Sequence, residues 1–267
     1  MVNGEVMDAL PLSDRALHYG DGLFETIAVI RGKPRLWDSH LARLVRGCER
    51  LKIPPPNLNT LYDEVVTVAD SDERVVVKVI YSRGSGGRGY RLPDESSPRR
   101  IVMRYPWRLL PAGDIRLRFC HTPLSCNPVL AGIKHLNRLE QVMARAEWVV
   151  PEIYEGLMCD LNGAVKEGTM SNLFWVKKGR LYTPDLSTCG VAGVMREQLF
   201  AVAATQGVTV ETAEIAPEEL LLVDEIGITN ALIGLTPVAW LEDYQLPSNK
   251  LLSQLQIALN ESLEYSR

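Results

Sequence analysis

The chain has 267 residues, of which 46% are hydrophobic, enough to bury one large core or two of medium size. Its 29 lysines and arginines nearly balance 33 aspartates and glutamates, so the net charge is −4. That balance argues against a nucleic-acid-binding surface. The chain starts without a basic segment before an apolar run, and no stretch approaches bilayer-spanning length. We therefore expect a globular, soluble, cytoplasmic protein that binds small molecules and has no membrane partner.

The cysteines indicate reduced thiols. There are five of them, an odd number, and no two form a C-x-x-C pair; they are Cys48, Cys120, Cys126, Cys159 and Cys189. This spacing predicts neither a disulfide framework nor a metal site.

The first part of the chain alternates strands and helices. A strand is predicted from Leu23 to Ile30, with a turn at Arg31-Gly32-Lys33-Pro34 after it. Asp38-Ser39 is predicted to cap a helix that ends near Leu51. A second helix and three strands are predicted next, at about 56–69, 74–82, 100–105 and 115–121.

The second part mixes strands and helices around a core of its own. A helical period runs from His135 to Val150, and a later helix is predicted from Val194 to about Thr205. Hairpin turns are predicted at Asn162-Gly163 and Lys178-Gly179, with more strands towards the end of the chain. Both periodicities break between about Pro106 and Asp114, which predicts the domain boundary.

Lys134 lies between a small apolar turn, Ala131-Gly132-Ile133, and the start of a helical pattern. An ammonium buried there without a partner would be costly, so its pKa should fall or its nitrogen should enter a covalent bond. Both outcomes are what imine chemistry requires. The same segment also permits an ordinary lysine that opens a helix and extends to water.

A carboxylate and an amide precede an apolar strand within residues 165–174. If Glu167 is buried, it needs a cationic partner, because an unpaired carboxylate in an apolar site becomes neutral. A protonated pyridine nitrogen would supply that cation, and the ion pair would keep the ring electron-withdrawing. The alternative is an exposed glutamate in a turn.

Three further segments would suit a phosphate. His40 and Arg43 share one helix face, and the planar guanidinium fits a phosphate, although a solvated basic helix face explains them equally well. A glycine-containing loop at 190–193 leads into a helix, whose first N–H groups can bind an anion. An ordinary junction has the same composition. Residues 229–237 combine a strand end with small polar side chains.

These segments occur in the order found in fold-type IV pyridoxal-phosphate enzymes, which the chain resembles over nearly its whole length. The resemblance begins at residues 13–26 and continues through H-x-x-R-L, the lysine segment, E-G-x-x-x-N-L-F and G-V-x-R-E. It implies a two-domain, D-amino-acid-aminotransferase-like architecture of the α+β or α/β class. The implied domains are a smaller α/β domain at 1–108 and a larger one at 109–267, with pyridoxal 5'-phosphate in the cleft between them, in a homodimer.

The resemblance also implies roles for particular residues. Lys134 would be the catalytic residue that forms the imine with the cofactor, and Glu167 would pair with the pyridine nitrogen. Val191 would pack on the ring. The phosphate would be held by Arg43, by the backbone of Val194 and Met195, and by Asn230 and Ala231. Branched-chain aminotransferases usually have a tyrosine five residues beyond the lysine, where this chain has Leu139.

Two stretches, 132–142 and 82–90, are similar to the aminodeoxychorismate lyases, which convert 4-amino-4-deoxychorismate to 4-aminobenzoate and pyruvate for folate biosynthesis. The glycine-rich stretch 82–90 lacks the Gly-Lys-[Ser/Thr] ending of a Walker A loop, and it would also suit a flexible surface loop. Its arginines and tyrosine would contact the two substrate carboxylates. The predicted substrate-binding residues are Tyr19, Thr26, Arg83, Arg88, Tyr90 and Asn137.

Two rival interpretations stay open at this point. A D-amino-acid or related fold-type IV transaminase would use the same cofactor site. A non-enzymatic phosphate-binding protein would use only the glycine-rich loop and the basic helix, and would form no imine.

Overall fold

The computed structural model describes residues 1–70, 73–107, 114–247 and 249–265, with side chains up to residue 263. Contacts between residues group the chain into two compact units. One contains Met1–Arg108 and Ile133–Asn137, and the other contains Leu109–Gly132 and Arg138–Arg267. The predicted break falls largely on residues 108–113, which lie outside the described residues. Within the described ranges, no helix has the length and apolar character needed to cross a membrane.

The first unit is built on a four-stranded antiparallel sheet with the order β2-β1-β3-β4. Its strands are β1 (Gly22–Ile30), β2 (Lys33–Pro34), β3 (Arg74–Ser82) and β4 (Arg99–Pro106). Its helices are α1 (Arg15–Tyr19), α2 (Trp37–Leu51) and α3 (Leu58–Ala69). The predicted strands and helices of this part are confirmed to within a few residues. At the centres of β1 and β3, buried side chains alternate with partly buried ones.

The predicted cap of α2 is wrong. The helix begins at Trp37, after Leu36 in the left-handed region with φ 53°, and no side chain caps it. The backbone N–H of Arg35 donates to Ala28 O at 2.8 Å, which turns the chain back against β1. This bond continues the pairing of β1 with Lys33–Pro34, and the helix begins directly after it, before Asp38.

The segment Ile133–Asn137 pairs with the start of β1. Phe24 N donates to Lys134 O at 2.9 Å, and Leu136 N donates to Gly22 O at 3.0 Å. These bonds hold the segment extended, so the predicted helix from His135 to Val150 is wrong over most of its length. The helix in this region is α4, Leu139–Arg145. The backbone of Lys134 is thus fixed to a strand and does not open a helix.

Gly84 follows β3 and packs closely against the backbone of Ser97. Its φ is +87°, and a Cβ added there would lie 1.8 Å from the carbonyl oxygen of Ser97. Gly84→Ala is therefore expected to lower the free energy of unfolding by more than about 3 kcal/mol in urea denaturation. The control is Gly87→Ala in the same loop, where a Cβ meets nothing within 4 Å. Equal stability of the two variants would contradict this account.

The second unit contains a larger sheet with the order β10-β9-β8-β7-β6-β5-β13-β14, and β11 pairs with β8 and β12. Its strands are β5 (Arg116–Phe119), β6 (Ile153–Cys159), β7 (Val165–Gly168), β8 (Asn172–Lys177), β9 (Arg180–Thr183), β10 (Val210–Thr212), β11 (Glu225–Asn230), β12 (Gly234–Pro237), β13 (Trp240–Leu241) and β14 (Tyr244–Gln245). Its remaining helices are α5 (Val194–Thr205), α6 (Pro217–Leu220) and α7 (Lys250–Tyr265).

Both predicted hairpin turns and the predicted helix from Val194 to Thr205 are confirmed. Lys178 and Gly179 have φ of 52° and 73°, as a tight two-residue hairpin turn requires. Helix α7 was not predicted from the sequence. A buried carboxylate binds its first N–H groups: Leu251 N and Leu252 N donate to Glu225 at 3.0 and 2.8 Å. A cap supplied from a distant strand leaves no local signal.

Candidate active site

Lys134 is half-buried in the first unit and lies against an aromatic ring. Its Nζ is 4.5 Å from the centroid of Phe24, and the Nζ of Lys78 is 5.2 Å from the centroid of the same ring. A ring face attracts a nearby ammonium, which restricts the position of the amine. Lys134 is therefore held at both ends, by β1 through its carbonyl and by Phe24 near its amine.

A buried carboxylate on β1 joins His40 and Arg43. Glu25 accepts from Arg43 Nε at 2.9 Å and from Arg43 Nη2 at 2.5 Å, and it is 2.6 Å from His40 Nδ1. All three side chains are buried. Burial alone would raise the pKa of Glu25, but Arg43 and His40 lower that pKa to about 2. Arg43 is thus held with a fixed guanidinium plane and does not lie on a solvated helix face.

Burial favours the neutral form of His40 in this cluster. Burial lowers its pKa, although the adjacent carboxylate of Glu25 opposes the shift. Because a carboxylate only accepts, His40 Nδ1 carries the proton toward Glu25, and Nε2 is left as an acceptor. Within the described part of the chain, His40 Nε2 is buried and has no hydrogen-bond partner. The helix face predicted from His40 and Arg43 is therefore an internal polar cluster.

In the protein without bound ligand, Glu25→Gln is expected to lower the free energy of unfolding by about 3–5 kcal/mol near neutral pH, because it removes the carboxylate counter-ion of the buried Arg43. The pKa of Glu25 falls from 4.5 to about 2 on folding, so its contribution is present above pH 4.5 and is lost as the pH falls towards 2. The advantage of the wild type over the variant should therefore shrink in that range. Urea unfolding at several pH values measures it.

The control for this prediction is Glu73→Gln, which removes an exposed carboxylate 3.7 Å from Arg31. Such surface pairs contribute little, so stability should match that of the wild type at every pH. A stability difference between Glu25→Gln and the wild type that is constant from neutral pH to about pH 3 would contradict the assignment of the low pKa to Glu25.

Glu167, in the second unit, is buried on β7 beside the loop that leads to α5. Its Oε2 accepts from Val191 N at 2.8 Å and is 3.5 Å from Asn172 Nδ2. Asn172 donates to Val191 O at 2.8 Å and accepts from Gly193 N at 3.1 Å. The exposed-turn interpretation of Glu167 is therefore wrong, because the side chain is 4% exposed. Asn172 fixes the loop on both sides of Ala192.

The loop 190–193 ends at the start of α5, where Gly193 is the N-cap residue and no side chain caps the helix. The first N–H groups of a helix have no acceptor within it, and its dipole favours an anion. Val194 and Met195 are the first two helical residues and are buried. A Cβ at Gly193 would lie 2.1 Å from Asn172 Oδ1, so only glycine allows the amide of Asn172 to approach this closely.

Asn230 ends β11 and shapes the turn that follows. Its Oδ1 accepts from Leu232 N at 2.9 Å and from Ile233 N at 3.0 Å, and its Nδ2 donates to Met170 O at 3.2 Å. Ala231 lies in this turn and is partly exposed. The side chain of Asn230 therefore holds the turn between β11 and β12, and the assignment of Asn230 and Ala231 to a phosphate stays a prediction.

Two of the predicted substrate residues meet in the first unit. The hydroxyl of Tyr19 accepts from Gly89 N at 3.0 Å, and the rings of Tyr19 and Tyr90 are in edge contact at 5.5 Å. Tyr90 is 86% exposed, and Arg88 is exposed as well. Thr26 is partly buried on β1, opposite Lys78.

Arg83 is used differently from the prediction. It binds both oxygens of Asp21, at 2.8 and 3.0 Å, and donates to Leu51 O and Lys52 O at the end of α2. Arg15 binds the same carboxylate at 2.8 Å. Arg83 is only 2% exposed. The structure therefore supports a role in joining Asp21 to the end of α2, and it gives no support to a contact between Arg83 and substrate.

Asn137 is the last residue of the segment that pairs with β1, and it is exposed. Its Nδ2 donates to Gly20 O at 3.3 Å. Gly20 has φ of +61°, and a Cβ there would lie 2.7 Å from Asn137 Oδ1. The two residues therefore fix the bend before Gly22.

Three residues that organise these sites, Asn172, Glu25 and Asp21, were not predicted from the sequence. Asn172 lies five residues after Glu167 within the E-G-x-x-x-N-L-F run, so its spacing was a readable signal. Glu25 and Asp21 carried no comparable signal, because Glu25 pairs with Arg43 on α2 and Asp21 pairs with Arg83 beyond β3, contacts that the local sequence does not show.

With this geometry in place, comparison with known proteins identifies the family. The amino-transferase class IV family matches residues 22–241, and the chain belongs to that family. This result confirms the resemblance and the fold class predicted from the sequence.

Three individual proteins are similar to the chain over nearly its whole length. A curated aminodeoxychorismate lyase from Vibrio harveyi is 36% identical, with 97% of this chain and 98% of the relative covered. The crystal structure of 4-amino-4-deoxychorismate lyase from Pseudomonas aeruginosa is 44% identical, covers 98% of both chains and has a TM-score of 0.93. The Escherichia coli branched-chain amino acid aminotransferase, at 22% identity, shares the fold, with a TM-score of 0.85 over 97% of this chain and 92% of its own.

Proposed function

We propose that the protein is a pyridoxal-phosphate-dependent lyase that converts 4-amino-4-deoxychorismate to 4-aminobenzoate and pyruvate. The observation that carries this proposal is the position of Lys134, whose backbone is tied to β1 and whose amine lies against Phe24. The overall similarity to two aminodeoxychorismate lyases supports the substrate.

The residues present fit pyridoxal 5'-phosphate in their chemistry. A buried carboxylate, Glu167, suits a protonated pyridine nitrogen. The uncapped start of α5 at Val194 and Met195 suits a phosphate. Arg43, whose Nε and Nη2 bind Glu25, would add its positive charge there. Val191 would pack on the ring, and the turn at Asn230 and Ala231 would add phosphate contacts. When bound, the cofactor supplies an aldehyde that combines with amines and a ring that withdraws electrons.

Lys134 would act as the proton carrier. In its neutral form, its amine would take the proton from the ring carbon that bears the substrate amino group. Loss of the neighbouring enolpyruvyl group then makes the ring aromatic, and Lys134 would return a proton to the methylene carbon to give pyruvate. Glu167 would keep the pyridine nitrogen protonated throughout. This cycle consumes no second keto acid, in contrast to a transamination.

Substrate contacts would come from the exposed part of the glycine-rich loop. Arg88 and Tyr90 are accessible, and Tyr19 supports the loop through Gly89. We propose that Arg88 and Tyr90 contact a substrate carboxylate, with Thr26 and Asn137 as further contacts. Arg83 is left out of this set because its donors bind Asp21 and the end of α2. A role in folate biosynthesis, in a cytoplasmic homodimer, remains a prediction.

The test supplies 4-amino-4-deoxychorismate to the purified holoenzyme with no keto acid present, and follows 4-aminobenzoate and pyruvate together. Catalytic release of both in equal amounts is expected. A parallel assay offers D-alanine and 2-oxoglutarate. Amino transfer there, with no release of 4-aminobenzoate in the first assay, would replace the lyase by a transaminase that uses the same cofactor residues.

A further inference from the structure

Within the described part of the chain, one group of side chains outside the proposed active site has the composition of a metal site. The Sγ atoms of Cys126 and Cys189 and a carboxylate oxygen of Asp160 all lie within 4.8 Å of one another. Two thiolates that share a tetrahedral zinc ion at 2.3 Å each are about 3.8 Å apart. The three atoms therefore need only small side-chain rotations to reach one cation.

Backbone hydrogen bonds bring the three ligands together. Leu124 N donates to Cys159 O at 2.8 Å, and Leu124 and Asp160 form a parallel bridge. Asn127 N donates to Thr188 O at 2.8 Å. These bonds tie the segment that contains Cys126 to the segment of Asp160 and to the segment of Cys189. A site fixed in this way loses little entropy when a cation binds.

The carboxylate of Asp160 is oriented without needing a cation. Its Oδ1 accepts from Asn162 N at 2.9 Å and from Ala164 N at 3.0 Å. Its Oδ2 is 3.5 Å from Lys166 Nζ, but that ammonium is bound more closely by Glu214, at 2.6 and 2.5 Å. If a cation bound Asp160, Lys166 would still have Glu214 as its counter-ion.

The two thiols differ in exposure. Cys189 is buried, so a cation bound to it would be shielded from water. Thiolate sulfur is a ligand that soft cations and zinc prefer. Cys126 is exposed, which gives a cation a path from solvent and leaves a position for water.

We propose that Cys126, Asp160 and Cys189 form a binding site for a thiophilic divalent cation, with zinc as the natural candidate and water as the fourth ligand. The cation would cross-link three segments of the second unit. Cys189 precedes Gly190, whose carbonyl accepts from Gly132 N at 2.9 Å, so the cross-link would also stiffen the loop that leads to Val191. The three ligands lie about thirty residues apart in sequence, so no short sequence motif indicates the site.

The experiment titrates the reduced, metal-free holoenzyme with cadmium and follows the ultraviolet sulfur-to-cadmium charge-transfer absorption, with zinc as the competitor. The wild type should bind one cadmium per chain, and zinc should displace it. Cys126→Ser should weaken binding by roughly tenfold or more and halve the charge-transfer intensity at saturation. Asp160→Asn should weaken binding by a similar factor but keep the full intensity, because both thiolates remain.

The matched control is Cys120→Ser, which removes a partly buried thiol of the same unit that is not a candidate ligand and should leave cadmium affinity and intensity unchanged. Cys126 is exposed, so its replacement by serine is not expected to disturb the fold. Absence of the charge-transfer absorption in the wild type, or equal affinity in Cys126→Ser and Cys120→Ser, would overturn the proposal. The titration needs no turnover, so its outcome is separate from that of the lyase assay.

Discussion

Lys134→Ala is expected to lower kcat by at least roughly 10²–10⁴, the contribution of one positioned proton-transfer group, and further because the covalent attachment of the cofactor is lost as well. Borohydride reduction should fix the cofactor to the wild type and not to the variant. Turnover of 4-amino-4-deoxychorismate and mass spectrometry of the reduced protein measure the two effects.

The matched control is Lys78→Ala. Lys78 also places its ammonium over Phe24, at 5.2 Å from the ring centroid against 4.5 Å for Lys134. It therefore reports the effect of removing a cation from this ring without removing the proposed base. We expect Lys78→Ala to be fixed by borohydride like the wild type. Retained turnover in Lys134→Ala, or attachment of the reduced cofactor at Lys78, would refute the assignment of Lys134.

Glu167→Gln is expected to lower kcat by roughly 10²–10³, the loss typical of removing one preorganised electrostatic partner. The substituted amide oxygen still accepts from Val191 N, so the loop geometry is retained and only the charge is removed. Because a neutral amide does not favour a protonated pyridine nitrogen, the absorption spectrum of the bound cofactor should change as well. Steady-state kinetics and that spectrum, recorded on the same sample, provide the measurement.

Glu225→Gln is the control for Glu167→Gln. Glu225 is an equally buried carboxylate of the second unit, each 4% exposed, but it binds the first N–H groups of α7. Its replacement should lower the melting temperature and leave kcat of the folded protein unchanged. If Glu167→Gln likewise reduced only stability and kept the wild-type kcat and cofactor spectrum, then Glu167 would be structural and its pairing with the cofactor would be wrong.

Elements whose pattern is complete within a short stretch were predictable. The apolar run of β3, the hairpin turn at Lys178-Gly179 and the start of α5 after the glycine loop depend on neighbouring residues. The family and the order of its motifs were also readable, because they are properties of the chain itself. The position of Lys134 within the sequence could therefore be singled out without coordinates.

The environment of that lysine was decided by tertiary structure. The segment around Lys134 is extended because it pairs with β1, more than a hundred residues earlier, and that pairing removes the backbone groups a helix would need. Tertiary structure also decided the role of Arg83. Its position in the glycine-rich stretch suggested a contact with substrate, but its donors bind Asp21 and the end of α2. Local periodicity specifies which conformation a segment prefers, whereas partners distant in sequence determine which of its polar groups are left for chemistry.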